Sequence, residues 1–160
     1  MLLENIENAL FCAVGGREQF FSEFPILLRK AISDIIDTPN TGRTLLAETE
    51  KTEKTHLGTK VEIALRSFTK FPKGAILDML IDINDVDTKM TIGKNWMIPP
   101  EAIGHPCILV SYDEPKLTYS IGVFLADLAN LNNGQNRDKK RTISKNGKMT
   151  IRWIAKDASI

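Results

Sequence analysis

The spacing of apolar residues changes at residues 71–74, FPKG, and this change constrains the fold more than any other feature. Before it, apolar side chains recur at helical spacing over residues 19–37, which predicts an amphipathic helix broken or started near Pro25. After it, two apolar runs flank Asn84 and Asp85, a pair typical of hairpin turns. The pattern predicts a mixed α/β fold with a central sheet. The predicted strands are residues 75–83, 86–92, 107–112, 117–128 and 149–155.

Size and composition limit the chain to one globular domain. Its 160 residues are 42% hydrophobic and 26% charged, which suits one core and not two ordinary domains. No apolar run could cross a bilayer, and acids lie where a secretory signal would carry lysines, so we expect a cytoplasmic protein without a membrane partner. Cys12 and Cys107 lie in separate apolar stretches and are expected to be buried. Carboxylates then dominate the available metal ligands and favour a hard ion such as Mg²⁺.

The charge of the chain is unevenly distributed. The net charge is only +1, yet the segment from Arg137 to Lys156 holds eight basic residues and one acid. Such a segment predicts a face that binds anions. A solvated basic tail is the alternative interpretation.

The stretch DMLIDINDVDTK, residues 78–89, is unusually acidic for a hairpin. In a strand, Asp87 and Lys89 point to the same face because they are two residues apart. If residues 84–85 form the turn, Asp78 pairs with Thr91 and shares that face. Two facing aspartates would repel each other, and a divalent cation between them would convert this repulsion into coordination.

This set of side chains suits phosphodiester hydrolysis, in which carboxylates hold Mg²⁺ and a lysine orients or deprotonates the attacking water. An acid followed by D-x-K is a weak motif by itself. Glu62 adds a further carboxylate, because it is charged in the otherwise apolar run TKVEIAL of a helix that Thr55 or Thr59 would cap. A surface position on an amphipathic helix is the alternative for Glu62.

The order Glu62, Asp78, Asp87, Lys89 resembles the signature of the PD-(D/E)xK nuclease fold. The segments KTEKTHLGTKVEI, VDTK, WMIPPEAIGH and NRDKKR are closer still to the endonuclease domain of the NaeI-type restriction enzymes, in the same order and with similar gaps. This resemblance runs from about Gly42 to about Ile154, and the first forty residues match only as a helical preamble.

The resemblance implies a single endonuclease domain over residues 1–160, with a central mixed β-sheet flanked by helices. Residues 1–40 would form a helical N-terminal part and residues 42–154 the nuclease core. The C-terminal DNA-binding domain of the family is expected to be absent from this chain. The implied active-site residues are Glu62, Asp78 and Asp87 as Mg²⁺ ligands and Lys89 beside the scissile phosphate.

The implied function is that of a type II restriction endonuclease, which uses Mg²⁺ to hydrolyse phosphodiester bonds of double-stranded DNA at a short specific site. A homodimer is expected, since a palindromic site calls for a two-fold symmetric protein. A repair or nicking nuclease of the same fold is one alternative. A non-catalytic DNA-binding subunit of a two-chain system is another, and a separate effector or DNA-binding chain is a further candidate partner.

Two groups of polar residues are candidate DNA contacts, because cations and helix starts bind phosphates while Asn and Arg can read base edges. Ordinary helix capping and a solvated loop are the alternatives. Trp96 and Trp153 have apolar neighbours and are expected to be core residues. The candidates are Lys51, Thr52, Lys54, Thr55, His56 and Lys60 before Glu62, and Lys94, Asn136, Arg137, Lys139, Lys140 and Arg141 later in the chain.

Overall fold

The computed structural model describes residues 1–160. It contains five α-helices, seven β-strands and three short 3₁₀ turns. The helices are α1 (Leu2–Ala13), α2 (Arg17–Ile36), α3 (Thr38–Thr41), α4 (Lys51–Thr69) and α5 (Lys145–Lys148). The strands are β1 (Met79–Ile81), β2 (Asn84–Thr91), β3 (Met97–Ile98), β4 (Pro106–Asp113), β5 (Thr118–Leu125), β6 (Arg141–Thr142) and β7 (Arg152–Ser159).

The centre of the fold is a five-stranded mixed sheet in the order β1-β2-β4-β5-β7. Strands β2 and β4 are parallel, and the other neighbours are antiparallel. Strands β3 and β6 form a separate antiparallel pair. The predicted α/β fold with a central mixed sheet flanked by helices is confirmed. None of the helices combines the length and the apolar character needed to cross a membrane.

Helices α1, α2 and α4 pack on one face of the sheet and form the larger of two cores with it. Residues Leu57, Val61 and Leu65 recur every four positions in α4, so they share the helix face that is buried against the sheet. Helix α2 continues through Pro25, and the predicted break is wrong. The fully buried Phe24 and the neighbouring turns of α2 belong to the same core, which supports the helix on both sides of the proline.

The other face of the sheet is covered by the β3–β6 pair and its connections, which form a second, smaller core. Alternation along β4 separates the cores, because Ile108 and Val110 belong to the first while Cys107 and Leu109 belong to the second. Strands β3 and β6 have two residues each and carry no detectable sequence pattern, which explains why they were not predicted. Cys107 is buried as expected, but Cys12 lies on the exposed side of α1.

The hairpin formed by β1 and β2 turns at Asp82 and Ile83, so the predicted turn at residues 84–85 is wrong. Met79 pairs with Val86, and Ile81 pairs with Asn84. Asp82 adopts a positive φ of 56°, a conformation that aspartate tolerates in tight turns. The register differs from the predicted one by an even number of residues, so every side chain keeps its predicted face. Asp78 is therefore brought opposite Asp87 and not opposite Thr91.

The start of α4 also differs from the sequence prediction. The helix begins at Lys51, and the backbone N–H of Glu50 donates a hydrogen bond to the Glu53 carboxylate. Thr55 and Thr59 lie inside the helix and do not cap it. The connection between α2 and α4 contains the short helix α3.

We predict that Gly122→Ala destabilises the protein through overpacking between β5 and β7. A Cβ at Gly122 would lie 2.7 Å from Ile151 Cγ2 and 3.0 Å from Trp153 Cε3. The expected loss is about 1–3 kcal/mol in the free energy of unfolding, measured by denaturant titration. Gly134→Ala is the control, because a Cβ there meets no atom within 4 Å. Equal stabilities of the two variants would show that Gly122 is not closely packed.

Candidate active site

Asp78 and Asp87 lie side by side where β1 and β2 separate. Asp78 immediately precedes β1, and the backbone N–H of Thr88 donates to its Oδ2 at 2.8 Å. This bond replaces a backbone hydrogen bond between β1 and β2, and it holds the Asp78 carboxylate next to Asp87. Two carboxylates that sequence analysis placed on one face are therefore adjacent in the fold.

Asp87 is the most buried carboxylate of the site, with a side chain only 5% exposed. Lys89 Nζ lies 3.3 Å from Asp87 Oδ2, but the contact lacks hydrogen-bond geometry, and this oxygen has no hydrogen-bond partner. Burial and, next, hydrogen bonding with Asp78 raise the pKa of Asp87 to about 7, although the charge of Lys89 opposes the shift. The site thus contains a buried acid that lacks a full complement of donors.

Glu62 approaches this pair from α4. Burial raises the pKa of Glu62 above its ordinary value, and the charge of Asp78 raises it further, while Arg66 and Lys89 oppose both effects. Glu62, Asp78, Asp87 and Lys89 consequently form one electrostatically connected group. The structure brings together all four residues that the sequence predicted.

Arg66 belongs to the same group and was missed by the sequence analysis. Its Nη1 lies 3.4 Å from Glu62 Oε1 and donates to the backbone oxygen of Asp78 at 3.1 Å. The available signal was its position one helical turn after Glu62, a spacing at which a glutamate and an arginine meet on a helix surface. That spacing is common in solvated helices and did not by itself point to a site.

The donor set fits a hard divalent cation. Magnesium is usually bound by one or two carboxylates together with water, and Asp78 and Asp87 are adjacent. The unpartnered Oδ2 of Asp87 is a buried oxygen that such an ion would satisfy. No group of three or more acidic, histidine or cysteine side chains already has the geometry of a metal site, so Glu62 is not preassembled with the two aspartates around one point.

Cys107 is paired with Asp87 in the parallel register, but it is not suited to either nucleophilic or ligand chemistry. Burial raises the pKa of the Cys107 thiol, and the charge of Asp87 raises it further. A neutral buried thiol is a poor nucleophile and a poor metal ligand. Cys107 therefore acts as part of the second core.

The candidate DNA contacts lie in two separate places. The first group occupies the N-terminal half of α4, on the helical side of the sheet, where Thr52 and His56 are exposed. Lys60 Nζ lies 3.8 Å from Asp34, so part of its charge is balanced within the protein. Thr55 Oγ1 donates to the backbone oxygen of Lys51, as in an ordinary helix. Lys51 is exposed, and Lys54 is half-buried.

The second group lies on the opposite side of the sheet, which Asp87 and Lys89 also face. Their strand partners Cys107 and Leu109 belong to the second core, as do Leu131 and Ile143, which flank the basic loop. Within that loop Asn136, Arg137 and Lys139 are exposed, while Lys140 and Arg141 are half-buried.

Details of this loop limit which side chains can contact a ligand. Asn136 Oδ1 accepts hydrogen bonds from the backbone N–H groups of Asp138 and Lys140, so Asn136 stabilises the loop itself. Arg141 Nη1 lies 3.4 Å from the backbone oxygen of Asn132. Arg137 and Lys139 remain the most accessible cations.

Lys94 lies beyond the C-terminal end of β2, which ends at Thr91. It lines a separate cleft with Trp96 and Trp153. Trp96 is buried, and its Nε1 donates to the backbone oxygen of Val110 at 2.9 Å, so its predicted core position is confirmed. Trp153 is half-buried against it.

The mixed sheet, its flanking helices and the carboxylate–lysine site define a protein with a restriction-endonuclease-like fold. The model of the family described as "Restriction endonuclease NaeI" matches residues 22–160. The chain is also 32% identical over 126 residues to "Type II restriction enzyme NaeI" from Lentzea aerocolonigenes. The chain therefore belongs to the NaeI restriction endonuclease family. The aligned region covers 78% of this chain and 39% of that relative, so the chain spans well under half of the relative's length.

The raised pKa of Asp87 predicts a pH-dependent stability of the metal-free protein. A folded-state pKa of about 7 against an ordinary 3.8 means that the folded state binds the proton more tightly. This contribution is complete below about pH 4 and is lost as the pH rises through 7. The free energy of unfolding in EDTA should therefore be lower at pH 8 than at pH 5. The expected difference is on the order of 2 kcal/mol, since one pKa unit corresponds to about 1.4 kcal/mol.

Asp87→Asn should remove this part of the pH dependence, because asparagine does not titrate. Asp82→Asn is the matched control, since Asp82 is exposed in the hairpin turn and tolerates the same substitution. Denaturant titrations at both pH values measure the effect. If Asp87→Asn retains the wild-type difference, another group is responsible for it.

Proposed function

We propose that this chain is a type II restriction endonuclease that uses Mg²⁺ to hydrolyse phosphodiester bonds of double-stranded DNA at a short specific site. One observation supports this above all others. A member of the NaeI family brings Glu62, Asp78, Asp87 and Lys89 into one group at the end of its catalytic hairpin. Residues 1–160 form the proposed endonuclease domain, with a nuclease core at 42–154.

In this proposal Asp78 and Asp87 hold the metal, and Glu62 completes the ligand set. Magnesium, when bound, would supply stabilisation of the negative charge that develops on the phosphate. The ionised forms of both aspartates would be favoured beside a cation, which removes their mutual repulsion. Thr88 maintains the orientation of Asp78 through its backbone N–H, so one ligand is positioned before any ion arrives.

Lys89 acts on the attacking water and the scissile phosphate. Its side chain is 31% exposed, and its Nζ lies 3.3 Å from Asp87 Oδ2, so Lys89 is held beside the carboxylates while remaining open to a substrate. From this position it can donate to a phosphate oxygen or orient water for attack on phosphorus. Attack forms one P–O bond as the bond to the leaving sugar oxygen breaks. The attacking water loses a proton to solvent, and the leaving sugar oxygen takes up a proton from solvent.

Alternative functions make different use of the same residues. A non-catalytic DNA-binding subunit would have no need to collect buried carboxylates that repel one another, so the site favours catalysis. A repair or nicking nuclease would use the same chemistry, but the family match favours restriction. We further propose a cytoplasmic homodimer, each subunit of which cuts one strand of a two-fold symmetric site. A separate effector or DNA-binding chain could add a second DNA contact.

The proposed DNA-binding face is the side of the sheet that carries Asp87, Lys89 and the basic loop. Arg137 and Lys139 are exposed there, and both catalytic side chains point to the same side. The other candidate contacts would then touch DNA only outside the segment that is bound at the active site. These are Lys94 and the α4 residues Lys51, Thr52, Lys54, Thr55, His56 and Lys60.

Asp87→Ala should abolish Mg²⁺-dependent cleavage of a plasmid that carries the site. Loss of a metal ligand is expected to exceed the 10–100-fold effect of losing an outer partner, so we expect a loss of about 100-fold or more. DNA binding without metal should be unchanged or tighter, because a buried anion near the phosphates is removed. Asp82→Asn, in the same acidic stretch, should cleave normally. Substantial cutting by Asp87→Ala would contradict the role of Asp87.

Replacing the two adjacent lysines of the basic loop should weaken binding to all DNA sequences alike. Lys139 has a positive φ of 62°, so Lys139→Asn avoids backbone strain, and it is combined with Lys140→Ala. The slope of log affinity against log salt should fall by roughly 0.9 for each phosphate that the variant no longer neutralises. Lys116→Ala, at an exposed turn on another part of the surface, is the control. Unchanged slopes would show that the loop is merely solvated.

A further inference from the structure

Arg66 links the helix and the strand that carry two of the acids. It lies one turn after Glu62 in α4, and its side chain is only 25% exposed. The same nitrogen, Nη1, contacts Glu62 Oε1 at 3.4 Å and the backbone oxygen of Asp78 at 3.1 Å. A guanidinium bound to a carboxylate and to the backbone beside a second carboxylate is more than an ordinary surface ion pair.

Two cations lie on either side of Asp78, and each of them contacts one of the other two carboxylates. Lys89 neutralises Asp87 on one side, and Arg66 neutralises Glu62 on the other. Three carboxylates therefore share two cations. Glu62 is drawn toward Arg66, which agrees with the finding that the three acids do not yet surround a single point.

We propose that Arg66 is the counter-ion of the metal-free site and a positioning residue for Glu62, which a divalent cation must release from Arg66 before Glu62 can bind it. This inference rests on the proposed function, because it assumes that Glu62, Asp78 and Asp87 bind the metal. Arg66 does not itself contact the metal or the substrate. Its competition for Glu62 sets the Mg²⁺ concentration at which the site fills.

The two contacts of Arg66 differ in a way that permits this exchange. The shorter one joins it to a backbone oxygen, which does not move when a side chain rotates. The longer one joins it to the Glu62 carboxylate, which has χ angles free to turn. Glu62 can leave while Arg66 stays anchored, so the orientation of Asp78 is preserved during metal binding.

The test is calorimetric titration of the full chain with Mg²⁺ in the absence of DNA, so that no cleavage contributes. Arg66→Gln removes the competing charge but retains a hydrogen-bond donor, and it should bind Mg²⁺ roughly three- to tenfold more tightly than the wild type. Arg66→Lys keeps the charge and should remain near the wild-type affinity.

A double-mutant cycle separates release of Glu62 from a general effect of charge. In a Glu62→Gln background, Arg66→Gln should no longer change the Mg²⁺ affinity, because there is no carboxylate to release. If Arg66→Gln still raises the Mg²⁺ affinity in that background, Arg66 acts only through its positive charge and not by holding Glu62, and the inference is wrong. An unchanged or weaker affinity of Arg66→Gln also overturns it.

A measurement on the unmodified chain covers the case in which Arg66→Gln does not fold. The ¹⁵N resonances of the Arg66 guanidinium should shift as Mg²⁺ is added, since Glu62 moves away from it. Normal Mg²⁺ binding without such a shift overturns the inference and leaves the proposed function intact. Failure of the wild type to bind Mg²⁺ or to cleave DNA would overturn both.

Discussion

Mutual repulsion among Glu62, Asp78 and Asp87 is the constraint around which the site is organised. Burial removes the water that would otherwise screen these charges, and the pKa of Asp87 rises to about 7 as a result. Lys89 and Arg66 offset the repulsion from opposite sides, and a backbone N–H satisfies Asp78. An acidic group of this kind costs stability in the absence of a cation, so its presence favours a function that supplies one.

The rest of the fold holds these acids together against that repulsion. The first core attaches α4 to the sheet through Leu57, Val61 and Leu65, and this packing fixes where Glu62 emerges. The parallel pairing of β2 with β4 places Asp87 over the second core. Packing on both faces of the sheet thus opposes the separation of the charged residues. The free energy gained by burying apolar side chains outweighs the repulsion between the carboxylates.

Sequence reasoning placed the candidate catalytic side chains on one face of the sheet, because the alternation of faces along a strand is unchanged by an even error in register. The turn lies at Asp82 and not at Asn84, yet the shift is even, so Asp78 and Asp87 share a face in either arrangement. Asp85 was predicted to lie in the turn, but its carboxylate accepts hydrogen bonds from the backbone N–H groups of residues 76 and 77. These contacts, which the sequence pattern does not reveal, support the observed register. Arg66 was missed because its role depends on a contact with the Asp78 backbone, which no helical period reveals.

The five charged residues of the candidate site lie in the segment from α4 to β2, with Asp78 in the connection that immediately precedes β1. They are Glu62, Arg66, Asp78, Asp87 and Lys89. The site is therefore contained in one supersecondary unit, and only the partner strand β4 and the two cores are needed to support it. A chain that spans 39% of its relative can for this reason carry the whole group. The candidate DNA contacts are different, because α4 and the basic loop lie on opposite sides of the sheet. The proposed DNA-binding surface therefore depends on segments that are far apart in sequence, whereas the proposed catalytic group depends on one contiguous segment.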